Sequence, residues 1–173
     1  LFKKRYKICV GFTGAIAPWL WYEMINDLVK NRPDVGFIFI GPDYSGGISH
    51  LQNSDNLLLT GRVPFEKLPK YCQYFDVCFI PFRPGPVAEC TSPLKLFEYF
   101  ALGKPVVVTE GMRECTQYDE VYSANSVKTF SEAINYAFES SNSSEYKDKL
   151  RVADKNSWDN LVTQYENYLK VLN

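Results

Sequence analysis

Ser92-Pro93-Leu94-Lys95-Leu96-Phe97-Glu98-Tyr99-Phe100-Ala101-Leu102-Gly103-Lys104-Pro105-Val106-Val107-Val108 encodes a helix and the strand that follows it. Ser92 is a good N-cap residue, and Pro93 suits the first helical position, where its missing N–H would be unpaired anyway. Gly103 offers a left-handed stop and Pro105 prevents continuation, so the spacing predicts a helix over about 93–102. Val106 to Val108 then read as a buried strand.

Apolar runs and helical patterns alternate on both sides of this stretch, the signature of a parallel sheet wrapped by helices. Upstream, Ile8-Cys9-Val10 reads as a first strand ending at Gly11 and Gly14. A helix of about residues 18–31 follows, with Leu20, Trp21, Met24, Ile25, Leu28 and Val29 as its apolar stripe. Val35 to Ile40, closed by Gly41-Pro42, is a second strand, and the polar loop after it holds Gly46-Gly47 and His50. Asn56 to Thr60 is a short strand, followed by Gly61-Arg62-Val63-Pro64 and a helix of roughly 65–74. Val77 to Pro81 is the next strand, and Arg83-Pro84-Gly85-Pro86 opens a non-helical loop. Downstream come a weaker strand around Val121-Tyr122 and a helix with Val127, Phe130, Ala133, Ile134, Ala137 and Phe138 on one face. After a polar break from Ser140 to Glu145, a last helix repeats Trp158, Leu161, Val162, Tyr165, Tyr168, Leu169 and Leu172 at three- and four-residue spacing. The expectation is one α/β domain over residues 1–173, a Rossmann-like doubly wound parallel sheet with helices on both faces.

Composition narrows the function classes. At 173 residues the chain suits one domain that folds without disulfides or metal. A net charge of −1 argues against a general nucleic-acid binder, and 46% hydrophobic content excludes disorder. No apolar run reaches the roughly 18 residues of a membrane span, and no secretory signal is visible. Cys9, Cys72, Cys78, Cys90 and Cys115 are scattered without a CxxC pair, which predicts free thiols and a reducing, cytoplasmic compartment. One histidine, His50, leaves no metal cluster of the usual spacing, so no metal or cofactor is expected. The basic start Lys3-Lys4-Arg5, without an initiator Met, reads as a piece of something longer.

The helix predicted from Ser92 begins one loop after a strand, above the carboxyl ends of the sheet, where open α/β folds bind ligands. Free N–H groups and the positive end of its dipole suit a phosphate, and Lys95 adds a full charge. One turn on, Glu98 can accept hydrogen bonds from two vicinal hydroxyls. A phosphate clamp beside a diol acceptor implies a nucleotide. Spacing alone accommodates an ordinary i, i+3 surface ion pair between Lys95 and Glu98 equally well, and Leu94, Leu96, Phe97, Phe100 and Ala101 are most simply core. Elsewhere, Arg62 and Arg83 read as solvated arginines, His50 as a surface residue, and Cys90 has no basic partner to activate it.

Ser92 to Tyr99, continued by Ala101-Leu102-Gly103-Lys104-Pro105-Val106-Val107, closely resembles the donor-site motif of family 4 glycosyltransferases, most of all the bacterial branch that builds surface polysaccharides. Gly11 to Trp19, Gly61-Arg62-Val63, and Asp76 to Phe82 match in order, so the likeness runs from about residue 8 to 140, and the Trp158 helix fits the family's C-terminal helix. The resemblance implies a retaining GT-B enzyme that moves a hexosyl group from a nucleoside-diphosphate sugar to an acceptor hydroxyl without a bound metal. This chain would be the C-terminal, donor-binding half. The absent N-terminal domain would bind an acceptor glycan or lipid-linked glycan, peripherally at the inner membrane face. By that analogy Glu98 holds the ribose hydroxyls, and Thr91, Ser92 and Leu94 face the diphosphate with Lys95 as a phosphate partner. Val63 and Pro64 fall at the base-contacting loop, and Gly14 lies beside the donor. The chain alone would bind nucleotide without turnover.

Two positions depart from the family's pattern. Cys90 stands eight residues before Glu98, where the family has a second Glu, with Glu89 one residue off. Between Gly11 and Trp21 there is no Lys or Arg, so either Lys95 carries more of the diphosphate charge or the other half supplies a cation. A nucleotide-sugar epimerase of the same fold and a non-catalytic nucleotide- or partner-binding module are the rival readings.

Overall fold

A computed structural model describes residues 1–140 and 143–171. Six strands form one parallel sheet: β1 (Ile8–Thr13), β2 (Val35–Ile40), β3 (Leu57–Leu59), β4 (Val77–Ile80), β5 (Val106–Thr109) and β6 (Val121–Ala124). Their order is β3-β2-β1-β4-β5-β6, so the chain reverses its direction of travel across the sheet between β1 and β4. That order defines the doubly wound Rossmann-like arrangement the sequence predicts. β1, β2, β4 and β5 are buried along their whole lengths, as apolar runs that must pack on two faces require.

Among the described residues eight α-helices complete the fold: α1 (Tyr22–Asn31), α2 (Leu68–Cys72), α3 (Pro86–Cys90), α4 (Leu94–Ala101), α5 (Arg113–Thr116), α6 (Val127–Glu139), α7 (Ser143–Lys155) and α8 (Trp158–Val171). α1 and α6 pack against each other, with Trp21 edge-on to Phe130, while α4 is backed by α7. Phe12, Phe37, Phe39 and Phe79 interlock on the sheet at ring separations of 5.4–6.4 Å and are almost wholly buried. Each buried aromatic of this kind contributes on the order of 1.5–3 kcal/mol.

Several elements differ from the sequence reading. The helix expected from residue 18 starts at Tyr22 because the preceding backbone pairs with the segment after β4: Leu20 bridges Phe82, and the Trp21 amide donates to the Pro81 carbonyl at 2.9 Å. The Pro-Gly-Pro loop closes into α3, since Pro86 stands in the first helical turn, where proline needs no N–H partner. Within the expected 65–74 helix, Phe65–Lys67 is a 3-10 turn and only Leu68–Cys72 is α-helical. α5 was not legible at four residues. Nor was α7, whose sequence is mostly charged and whose apolar residues are Tyr146, Leu150, Val152 and Ala153. Ser143 to Glu145 of the expected polar break begin α7, and residues 141–142 lie outside the described residues. Apart from half-buried Leu161, the apolar stripe of α8 stays exposed, from 54% at Val162 to 73% at Tyr165. Leu172 lies outside the described residues.

The end of α4 follows its sequence closely. Gly103 has φ +66°, its amide donates to the Phe100 carbonyl at 2.8 Å, and the Lys104 amide donates to the Tyr99 carbonyl at 2.9 Å. These two bonds satisfy carbonyls that a helix end leaves open. The Tyr146 ring of α7 lies directly over Gly103, about where a side chain would begin. Gly103→Ala is therefore expected to cost more than about 1 kcal/mol, from the left-handed φ alone and further from the displaced ring. A urea unfolding midpoint unchanged from wild type would contradict this.

Candidate functional site

The site begins where the sheet splays. β1 pairs with β2 over six residues but with β4 only at Val10–Val77 and Gly11–Cys78. Beyond Gly11 the two central strands part, and the resulting crevice lies at the topological switch point, over the carboxyl ends of the strands. α4 starts beside it. Its N-cap is Pro93, with ψ 117°, rather than Ser92, because proline's fixed φ fits the extended N-cap as readily as the first turn. No side chain caps this end. The Leu96 amide donates to the Pro93 carbonyl at 3.0 Å, whereas among the described residues the Leu94 and Lys95 amides find no acceptor.

Lys95 turns into the crevice. Its Nζ lies 5.2 Å from the Phe12 ring centre and 5.3 Å from that of Phe82, held by their electron-rich faces. The ammonium reaches to 3.2 Å of the point where a Gly14 side chain would begin, so the bare glycine gives it room. Burial lowers the Lys95 pKa by stripping hydration, an effect that Glu98 and Cys115 partly oppose. The i, i+3 ion pair that spacing allowed is not formed: among the described residues no carboxylate pairs with Lys95 and no hydrogen bond engages its Nζ.

Glu98 is exposed on a rib between two hollows. On one side is an apolar cavity of about 210 Å³ bounded by Thr13, Phe65, Leu68, Cys72 and Tyr99. On the other is an open groove of about 700 Å³, walled by Ser92, Leu94, Tyr118, Glu114 and Trp158. Val63 is half-buried and Pro64 exposed, immediately before the Phe65 that lines the cavity. The Thr91 hydroxyl donates to the Val87 carbonyl of α3, while Ser92 is exposed. Leu94, read as core, is 60% exposed because it faces the groove; Ala101 is exposed and Phe97 half-buried, whereas Leu96 and Phe100 are core.

Lys95, Gly14, Glu98, Ser92 and Leu94 therefore gather at one end of the sheet, with Val63 and Pro64 beside the cavity. Arg83 does not join them, being paired with Glu23 of α1 at the surface. His50 sits in a 3-10 turn against Tyr22. Cys90 and Glu89 are exposed in α3, one loop ahead of α4. Burial raises the thiol pKa of Cys72 to about 11 and that of Cys115 to about 12, which keeps both protonated and un-nucleophilic. Among the described residues no helix is long and apolar enough to cross a membrane. Sequence reasoning missed the contributions of Tyr99, Tyr118 and Trp158, whose aromatic character reads as core from spacing alone.

Residues 8–140, most of the chain and all six strands, match the model of the family described as glycosyl transferases group 1. The chain belongs to that family. It is 36% identical over 108 residues to TuaH of Bacillus subtilis (strain 168), whose name assigns it to teichuronic acid biosynthesis as a glycosyltransferase. That match covers 61% of this chain and 27% of the relative. Among solved structures, HepE of Anabaena in complex with UDP and glucose superposes with a TM-score of 0.72 at 17% identity, over 98% of this chain and 49% of that one. A trehalose-6-phosphate synthase, studied with bisubstrate glycomimetics for glycosyl transfer with retention, gives 0.71 at 14% identity over 94% of this chain and 45% of that one. At such identities the likeness shows the fold. This glycosyl transferase domain spans about half the length of those solved chains and about a quarter of the Bacillus relative.

The crevice makes a measurable demand on stability. Lys95 holds its proton less tightly folded than unfolded, so between the lowered folded pKa and the ordinary value the unfolded chain carries more protons, and stability rises with pH. The cost of burying the ammonium is fully present below the folded pKa and fades as pH climbs through it. Lys95→Met is expected to melt at a higher temperature than wild type near neutral pH, with the gap narrowing above about pH 10. Thermal melts at the two pH values check this, and a constant gap would contradict it.

Proposed function

We propose that this chain binds the nucleoside-diphosphate sugar of a retaining hexosyltransferase, as the C-terminal half of a GT-B enzyme. The observation that carries the reading is Lys95: a half-buried ammonium without an anionic partner, set against bare Gly14 at the uncapped start of α4. A cation in such a place is completed by an anion, and two open amides beside it suit a diphosphate. Glu98, one turn along, accepts from the ribose hydroxyls. The base lies at Val63 and Pro64, and Thr91, Ser92 and Leu94 border the diphosphate.

As the glycosidic bond breaks, negative charge grows on the leaving diphosphate. Lys95, the amides and the α4 dipole are fixed in position before this happens, so they stabilise the charge without reorganising. Protein groups rather than a resident metal ion meet it in this reading. The teichuronic acid relative supports a role in surface polysaccharide synthesis, and the retaining outcome is supported by the fold shared with a synthase studied for transfer with retention. The acceptor glycan, free or lipid-linked, would be held by a further domain, with the whole protein working in the cytoplasm at the inner membrane face.

Calorimetric titration of UDP, GDP and ADP into wild type, Lys95→Ala and Glu98→Ala tests the site. Each variant is expected to lose about 1–3 kcal/mol of binding, the worth of a charged hydrogen bond in a partly buried place. Equal affinities in the three proteins would overturn the assignment.

A further inference from the structure

We infer that Tyr99 is the positioning residue of the diphosphate site: its buried hydroxyl fixes α4 to the splayed end of β1 and so sets where Lys95 stands. This rests on the nucleotide reading above and adds a residue to it.

The reason lies in the broken ladder. β1 runs on to Thr13 after its pairing with β4 has ended at Gly11, so the Thr13 amide faces the crevice with no strand carbonyl opposite. A buried N–H cannot be left unpaired without cost. The Tyr99 hydroxyl takes the place of the missing strand: it accepts from the Thr13 amide at 2.7 Å and is hydrogen-bonded to Thr13 Oγ1 at 3.0 Å. Both residues are sealed from solvent, Tyr99 at 1% and Thr13 at 4% exposure. Burial also pushes the Tyr99 pKa well up, so the hydroxyl stays neutral, able both to donate and to accept.

Lys95 and Tyr99 are four residues apart and share one face of α4. Tyr99 grips Thr13, and Lys95 lies against Phe12 and Gly14, the residues on either side of it. The rings at 5.2 and 5.3 Å attract the ammonium without directing it closely. The hydroxyl supplies the direction. Two hydrogen bonds to one residue fix the rotation of α4 and its advance along β1, and with them the ammonium and the open amides.

The test uses nucleoside and nucleoside diphosphate as paired probes: uridine and UDP, guanosine and GDP, adenosine and ADP, taking whichever pair wild type binds. The gain in affinity from nucleoside to diphosphate reports the clamp alone. Tyr99→Phe keeps the ring and removes the hydroxyl. It is expected to reduce that gain about 10-fold, as a site loosened by a fraction of an ångström does, with nucleoside affinity held within about twofold. A weakened fold would lower both affinities together, and that result, or an unchanged gain, overturns the inference. In a Lys95→Met background the same change should have no further effect, because the group being positioned is gone. Thr13→Val, which removes only the Oγ1 partner, provides the same readout if Tyr99→Phe does not fold. It is expected to reduce the gain in the same direction, and no change would count against the role. If wild type binds none of the nucleotides, the failure lies with the proposed function, and this inference falls with it.

Discussion

An ammonium held between two phenylalanine rings, without an acid to neutralise it, is the constraint around which this domain is arranged. Placing a cation there disfavours folding, since it gives up water for two weakly attractive ring faces. The rest of the sheet has to outweigh that loss. It does so with a core whose strands are buried on both faces and whose aromatic rings interlock from β1 through β2 to β4. Structural economy would have placed a methionine or leucine at this position. A lysine there makes sense where an anion arrives to use it.

The crevice that holds the ammonium follows from topology. In a sheet of order β3-β2-β1-β4-β5-β6, the chain leaves β1 toward one edge and returns at β4 toward the other, so the loops after these two strands lead apart. Here the divergence starts inside the strands, after two paired positions. Leu20 and Trp21 then bridge to the segment after β4, closing the far side of the opening and bringing Phe82 over to face Phe12. The same pairing delays α1 by four residues relative to its apolar pattern. A missed helix boundary and the second wall of the site thus have one cause.

Much of this was legible in the sequence because it is encoded locally. The four central strands are continuous β-branched and aromatic runs, and Gly103-Lys104-Pro105 states how α4 must end. Lys95 and Glu98 were legible as candidates only, since a cation and a carboxylate three residues apart suit a surface ion pair as well as a ligand site, and the resemblance of the surrounding motif tipped the reading. What spacing could not decide was whether they pair with each other. The answer depended on how α4 is rotated over the sheet, which is set by Tyr99 and by the support of α7. α7 itself was passed over because Tyr146, Leu150, Val152 and Ala153 are outnumbered by charged residues and give only a weak helical stripe. Leu94 misled in the opposite sense: a leucine at helical spacing reads as core, and only the tertiary position of α4 places it on a groove. The stripe on α8 misleads similarly, since its spacing is clear and its exposure is not encoded locally.

In the proposed reading one short helix serves two parts of a ligand because its side chains leave at different angles. Lys95 and Tyr99 lie on the face toward the sheet, while Leu94, Glu98 and Ala101 lie on the face toward the groove. Glu98 borders both hollows, so its carboxylate stands at the edge of the apolar cavity and not inside it. At the edge the carboxylate is exposed and open to hydrogen-bond donors from either side. The distance between the two functions is then set by one turn of helix, about 5 Å of rise. The Tyr99 hydroxyl acts on the sheet-facing side of that arrangement, where Lys95 stands against Phe12 and Gly14, and not on Glu98 at the exposed rim, which is why a buried group can set one function and leave the other in place.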